Sequence, residues 1–414
     1  MPRVVTRWRA GGPAGCAIRV VQVAHDAQHS TLSTGGGLGS PAGTRFAESD
    51  PGTDMRILIT GGTGFVGSWV ARELASRGHT LRLLVRSSSS LDNILDIPGE
   101  MIVGDITAPA SVERAIAGCD AVVHAAAVAR LRAGDRDHLL AVNEGGTRNV
   151  LGAALRAGIR RAVFVASAGA LGGTWDPVAV DERWQRSAEK VRVDYFVSKL
   201  RAEQVALEMG RAGLPLVILR PGIALGPGDV YHSSAGTVLM LARGKLPAYV
   251  RGGGSYCDVR DVARAHAEAL EHGPSGESYL LGGYNLELGE LARMVSRLSG
   301  VPAPVRVPYP LMLAFAGMRE VGARLRGERS PISRQLVRGA RRYTFLDSRK
   351  AGGEFGYSNR PLEVTVKDTL RWFLAHGDLE ATTPALRALR GEQSGARNMP
   401  MARLSGRVDA RCSP

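Results

Sequence analysis

Two hydrophobic rhythms alternate along the middle of the chain. Runs that are apolar on successive residues predict strands at Arg56–Thr60, Thr80–Val85, Met101–Val103, Ala121–His124, Arg161–Ser167 and Leu216–Leu219. Between them, apolar residues recur every three or four positions and predict helices at Val66–Arg77, Ala110–Ala117, Leu139–Ala157 and Tyr195–Arg211. Strands without a polar face are buried on both sides, so the alternation predicts an α/β fold built on a doubly wound parallel sheet, over residues 55–224. From Leu225 the alternation lapses into Gly- and Pro-rich loops and scattered helices. This predicts a smaller, mostly helical C-terminal region, 225–381, that binds substrate and interleaves with the end of the core. Within it, Pro308–Arg326 reads as a helix with Leu, Met, Phe and Val on one side, suited to core packing, a lid or membrane-surface docking.

The two ends lack either rhythm. Residues 1–54 are rich in Gly, Ser, Thr and Ala and read as a disordered leader. The character changes at Met55, which is expected to be the biological start, with the upstream residues an over-extended reading frame or a dispensable leader. Residues 382–414 also lack pattern and read as a disordered tail.

The 414 residues are 44% hydrophobic and 22% charged, ordinary values for a globular protein. No apolar run is long enough to span a bilayer, and no secretory signal opens the chain. Four cysteines, Cys16, Cys119, Cys257 and Cys412, show no Cys-x-x-Cys spacing, and the nine histidines form no ligand pair. That usage fits reduced thiols in a cytoplasmic protein and predicts no metal. The formal charge of +14 is concentrated late, with ten basic and three acidic residues from Arg319 to Lys350. No aromatic interleaving or nucleic-acid motif accompanies it, so no nucleic acid is expected. A solvated, arginine-rich surface is the simplest reading. The basic 308–350 region also suits contact with an anionic membrane surface.

Chemistry enters at Gly61-Gly-Thr-Gly64-Phe65-Val66-Gly67, between a strand and a helix. The first glycine permits a tight turn, the second lets backbone approach a pyrophosphate, and the third lets helix and sheet pack closely. The diphosphate then meets the N–H groups and dipole of the helix N-terminus. This is the dinucleotide cradle of a Rossmann fold. An acid that would bond the ribose hydroxyls of NAD is expected about 20 residues on. Here the second strand ends instead in Leu-Leu-Val-Arg86-Ser-Ser-Ser-Ser, whose cation and hydroxyls suit a 2′-phosphate, so NADP is favoured over NAD. Asp105, in Val-Gly-Asp-Ile106-Thr after the third strand, suits either the adenine amino group or a helix cap.

Tyr195 and Lys199 lie four apart in a helical stretch and so share a face. A free phenol has a pKa near 10, and a neighbouring ammonium is expected to lower it. Ser167, at the end of the preceding strand, suits a donor to a substrate carbonyl. Ser167, Tyr195 and Lys199 therefore read as a catalytic set for hydride transfer with proton movement.

The glycine loop, Gly-Asp105-Ile106-Thr, Val-Val-His124-Ala125-Ala126-Ala, Val-Asn143-Glu-Gly-Gly-Thr147, the Ser167 strand, Tyr195-x-x-Ser-Lys199, Leu-Arg220-Pro221-Gly and Asp258-Val-Arg-Asp261-Val-Ala together resemble the extended short-chain dehydrogenase/reductase family, from about Met55 to His376. Within it the chain is most similar to the dihydroflavonol 4-reductase-like branch and the related hopanoid-associated sugar epimerase group. The resemblance implies that Ala125 and Ala126 pass beside the cofactor, that the segment after Arg220, beginning at Pro221, lines the nicotinamide, and that Tyr195 and Lys199 are catalytic and touch the cofactor. It implies that Asn143 braces the sheet and a helix, and that the protein forms a homodimer through the helix of the Tyr-Lys pair. Ile223 stands where nucleotide-sugar enzymes of the family commonly carry an asparagine for the sugar-nucleotide phosphate.

The expected activity is an NADP(H)-dependent oxidoreductase for a small-molecule ketone, aldehyde or secondary alcohol. The alternatives are a nucleotide-sugar epimerase or dehydratase with tightly bound NAD, and a non-catalytic dinucleotide-binding protein.

Overall fold

A computed structural model describes residues 17–20, 54–129, 136–184, 192–328, 330 and 332–395. The leader and tail readings for residues 1–16, 21–53 and 396–414 lie outside the described residues. Strands β1 (Ala17–Val20), β2 (Arg56–Thr60), β3 (Thr80–Val85), β4 (Gly99–Val103), β5 (Ala121–His124), β6 (Arg161–Val165) and β7 (Leu216–Pro221) come first. They are followed by β8 (Ile223–Leu225), β9 (Ala248–Tyr249), β10 (Gly253–Asp258), β11 (Ser278–Leu281), β12 (Tyr284–Glu287), β13 (Val305–Arg306) and β14 (Tyr343–Thr344).

The main sheet runs β1-β4-β3-β2-β5-β6-β7-β11. All its pairings are parallel except that of β1, which lies antiparallel on β4 with Ala17 opposite Ile102. The expected doubly wound parallel sheet is thus seven strands wide, with an eighth from the leader at its edge. The leader reading is corrected for 17–20, which form a strand.

Strand β2 shows why the sheet is covered on both faces. Its Ile57, Leu58 and Ile59 are fully buried, yet alternation sends them to opposite sides. Ile57 and Ile59 join the apolar cluster of helices Phe65–Ser76 and Val259–His272. Leu58 joins that of helices Pro109–Ile116, Gly146–Arg156 and Asp194–Arg211. Each such side chain contributes about 1.5–3 kcal/mol when fully buried. On the first face Arg77 bonds Glu73, Glu268 and Glu271 at 2.9, 2.8 and 2.5 Å, locking the two helices together.

A third cluster, with Leu225, Val238, Leu291, Val366, Phe373, Leu386 and Leu389, builds the C-terminal region. It surrounds a small second sheet, β12-β10-β14, with β8 on β10. The residues after Thr382 are corrected here: Pro384–Gly395 is a helix whose Leu386 and Leu389 are buried. The predicted helix Leu139–Ala157 is broken into Arg136–Leu140, a wider π turn Ala141–Gly145, and Gly146–Arg156. No helix among the described residues is long and apolar enough to cross a membrane.

Candidate active site

The predicted cofactor residues other than Tyr195 and Lys199 lie at or just beyond the ends of β2, β3, β4, β5 and β7, the edge at which open α/β sheets bind ligands. The chain leaves β2 through Gly61, at φ +75°, where a Cβ would come within 2.5 Å of the Ala126 nitrogen. At Gly67 a Cβ would meet the Gly61 oxygen at 2.2 Å. Both close approaches require glycine. The Gly61 oxygen accepts from the Gly64 nitrogen at 2.9 Å, which completes the turn. Gly64 caps helix Phe65–Ser76 without a side-chain bond, and the first turn of that helix carries no acid. A helix N-terminus left open in this way suits a diphosphate. Phe65 is buried in the core and Val66, partly buried, packs against it.

Two contacts from beyond β7 hold the loop, and the sequence did not signal them. Trp69 Nε1 donates to the Pro227 oxygen at 2.7 Å. Asn93 Nδ2 donates to the oxygens of Thr63 and Gly228 at 3.3 and 2.9 Å.

Arg86 follows β3 directly and is exposed. Asp105 Oδ1 accepts from the Thr107 nitrogen and hydroxyl, each at 2.8 Å, so the residue makes a turn with one oxygen. Ile106 is buried against Gly146, where a Cβ would lie 2.5 Å from its Cδ1. Ala125 and Ala126 leave β5 beside Gly61, and the Ala125 nitrogen donates to the Thr60 oxygen at 3.0 Å. Pro221 is the buried last residue of β7.

Ser167, Tyr195 and Lys199 come together. The predicted strand stops at Val165, because Ser167 Oγ accepts from the Gly169 nitrogen at 3.1 Å and caps a 3-10 turn. Across from it stands Tyr195, in the first turn of helix Asp194–Arg211. Burial raises the phenol's pKa above its ordinary value, and a hydrogen bond with the Ser167 hydroxyl offsets part of the rise. Lys199 does not depress that pKa, as its spacing predicted. Its Nζ donates instead to the Val165 oxygen at 3.0 Å and sits 5.3 Å from the Phe164 ring centroid. Burial brings the ammonium down to about 8, opposed by the Glu203 carboxylate one turn further on.

A buried polar scaffold holds this set. Asn143, in the π turn, accepts from the Val128 nitrogen at 2.7 Å and donates to the Val128 oxygen at 3.1 Å and Ser198 Oγ at 2.9 Å. It braces the loop after β5 and a helix, where the resemblance implied the sheet and a helix. The His124 nitrogens bond Thr60 Oγ1 at 2.7 Å and Thr147 Oγ1 at 2.9 Å. At the helix start, Gln335 Nε2 donates to Asp194 Oδ2 at 2.6 Å, tying the Tyr195 helix to the C-terminal region.

A model of the NAD-dependent epimerase/dehydratase family matches residues 57–282. The chain belongs to this family. Among its relatives is a protein of Synechocystis sp. provisionally named dihydroflavonol 4-reductase, 35% identical over 78% of this chain and 95% of that one. The crystal structure of gox2253 is similar at TM-score 0.70, with 40% identity over 79% of this chain and 100% of that one. PA4631, a nucleoside-diphosphate-sugar epimerase from Pseudomonas aeruginosa, superposes at TM-score 0.67 with 29% identity over 79% of this chain and 100% of that one. The protein is an NAD(P)-dependent enzyme acting on CH–OH or C=O groups, on an epimerase-type Rossmann fold.

Two buried histidines give this family member an acid sensitivity. Burial holds the His124 imidazole at about 3 and that of His266 at about 4. Both are neutral in the fold, while an unfolded imidazole takes up a proton below about 6.5. The unfolded chain therefore binds more protons as pH falls from 6.5 to 4, and stability is lost over that window. At pH 5 the loss is about 2 kcal/mol for each histidine. Urea midpoints at pH 7 and pH 5 check this; equal midpoints refute it.

Proposed function

We infer that the chain is an NADP(H)-dependent oxidoreductase that interconverts a ketone or aldehyde with an alcohol. The observation that carries this reading is the meeting of Ser167, Tyr195 and Lys199 at the end of β6, in the same sheet as the β2 strand that runs into the glycine loop. A bound nicotinamide supplies or accepts the hydride. The residues supply the rest. Ser167 donates to the substrate carbonyl and holds it near the phenol. Tyr195, kept protonated at neutral pH by its raised pKa, gives its proton to the developing alkoxide. Lys199, anchored on the Val165 oxygen, presents a cation on the same helical face. It is suited to hold the nicotinamide ribose. Alcohol oxidation uses the same groups in reverse. A reduction is also in keeping with the name of the Synechocystis relative.

Preference for NADP rests on Arg86, exposed at the end of β3 and followed by four serines, with no carboxylate at that strand end. A second reading, an epimerase or dehydratase that keeps NAD bound and returns it unchanged, is favoured by the likeness to PA4631. Ile223 opposes it. Its side chain lies against the Gly254 backbone, where a Cβ would meet its Cδ1 at 2.4 Å, and it offers no donor to a sugar-nucleotide phosphate.

Titrating the full chain with NADPH and NADH separates the two. Exchangeable binding with NADPH preferred, followed by carbonyl-dependent NADPH oxidation, is the expected result. NAD released only on unfolding would replace this reading with the epimerase.

A further inference from the structure

Helix Tyr309–Leu325 is apolar on its outer side as well as on its inner one. Its inner side buries Ala316 against Val250 and Val337, with Met312 and Leu313 packed alongside. Glu320 also faces that way and pairs with Arg334 at 2.7 Å. The outer side is apolar. Leu311, Phe315, Met318, Val321 and Leu325 are all exposed, Met318 by 67% and Leu325 by 84%. Steps of four, three, three and four residues set them along one stripe nearly the whole length of the helix. A solvent-facing stripe of this length on a single helix marks a docking surface.

Arginines frame the stripe. Arg319 and Arg324 are exposed within the helix, and Arg326 follows it. Beside the first turn, the Arg341 guanidinium stacks 4.3 Å from the Tyr309 ring centroid and 4.8 Å from that of Trp175, an exposed indole. Arg342 lies 3.4 Å from the same indole. Apolar stripe, flanking cations and a rim tryptophan together match the chemistry of a lipid headgroup boundary.

The geometry points to an anionic bilayer surface as the occupant. A second copy on a two-fold axis would bring the arginine-lined edges of two such stripes together, in a stretch with ten basic and three acidic residues. The last nineteen residues, with Arg397, Arg403, Arg407 and Arg411 against Asp409, add charge of the same sign. An anionic membrane supplies both hydrocarbon for the five apolar side chains and negative charge for the arginines. The inference concerns this surface alone and stands apart from the redox reading.

The test is flotation of the full chain with phosphatidylcholine vesicles, with and without phosphatidylglycerol, at low and high salt. Binding that needs phosphatidylglycerol and is reversed by salt is expected. The F315S/M318S variant, folded by its melting curve, should stay unbound. R319Q/R324Q should bind roughly fivefold more weakly per arginine neutralised. Three results overturn the proposal: no vesicle binding by the parent chain, binding untouched in both variants, or a dimer in sedimentation velocity that F315S/M318S converts to monomer without a change in lipid binding.

Discussion

On the proposed mechanism, Tyr195→Phe is expected to lower turnover about a thousandfold while leaving NADPH affinity largely intact, since it removes the general acid and spares the glycine loop. The phenol is the sole group among Ser167, Tyr195 and Lys199 whose proton suits the alkoxide. Ser167 Oγ accepts from the Gly169 nitrogen and keeps its proton for a hydrogen bond to the carbonyl, but an alcohol is too weak an acid to give it up, while the Lys199 ammonium donates to the Val165 oxygen. The raised phenol pKa sets the direction of the pH response as well. Carbonyl reduction, which uses the protonated phenol, holds through neutral pH. Alcohol oxidation, which uses the phenolate, climbs as pH rises. Stopped-flow turnover with fluorescence titration of NADPH measures both halves of the prediction. Turnover equal to that of the parent enzyme would remove Tyr195 from the mechanism.

Arg220→Met destabilises the fold by about 3–5 kcal/mol. Arg220 Nη2 and Nε donate to the two Glu203 oxygens at 2.8 and 3.0 Å, and the side chains are 1% and 0% exposed. Removing the guanidinium takes the two-point partner from a carboxylate held in the interior. Replacing both residues, as in E203M/R220M, should restore most of the lost stability, because two uncharged side chains of similar size fill the space. The double variant will not restore the chemistry. Glu203 is the group that holds the Lys199 pKa up against burial, so without it the ammonium deprotonates below about 8. The alkaline limb of the reductive pH profile then moves to lower pH. Chemical denaturation and a pH–rate profile on the same two proteins separate support of the fold from support of the lysine. A pH profile identical to the parent's would detach Glu203 from Lys199.

Legibility in the sequence followed how local each interaction is. Strands β2, β3 and β5 could be read to the residue, since side chains apolar on both faces leave no other structure open to Ile57–Ile59 or Ala121–Val123. The glycine loop was legible for a similar reason: a Cβ on Gly67 would lie 2.2 Å from the Gly61 oxygen, which excludes every other residue. Periodicity failed where one side chain redirects the chain. Asn143 bonds both backbone groups of Val128, and a helix of regular period cannot display the π turn found at that residue. Ser167 ends β6 two residues early by capturing the Gly169 nitrogen. Lys199 has the predicted place but a different partner, a strand carbonyl that no side-chain pattern reports. The helix Pro384–Gly395 escaped notice because it buries Leu386 and Leu389 and little else that is apolar.

The seventh parallel strand bears on how such a protein can change. Strand β11 and helix Val259–His272 lie beyond Leu225, yet one closes the main sheet beside β7 and the other covers the glycine-loop face. Trp69 and Asn93 reach the Pro227–Gly228 turn from the other side. Grafting a relative's whole C-terminal half onto residues 55–224 would therefore remove an outer strand, a face of the core and the brace of the cofactor turn in one cut. Recombination between such enzymes is costly at that seam. New specificity is more readily reached by exchanging short connections that leave the Pro227–Gly228 turn in place, such as the β14 segment, inside an unbroken chain.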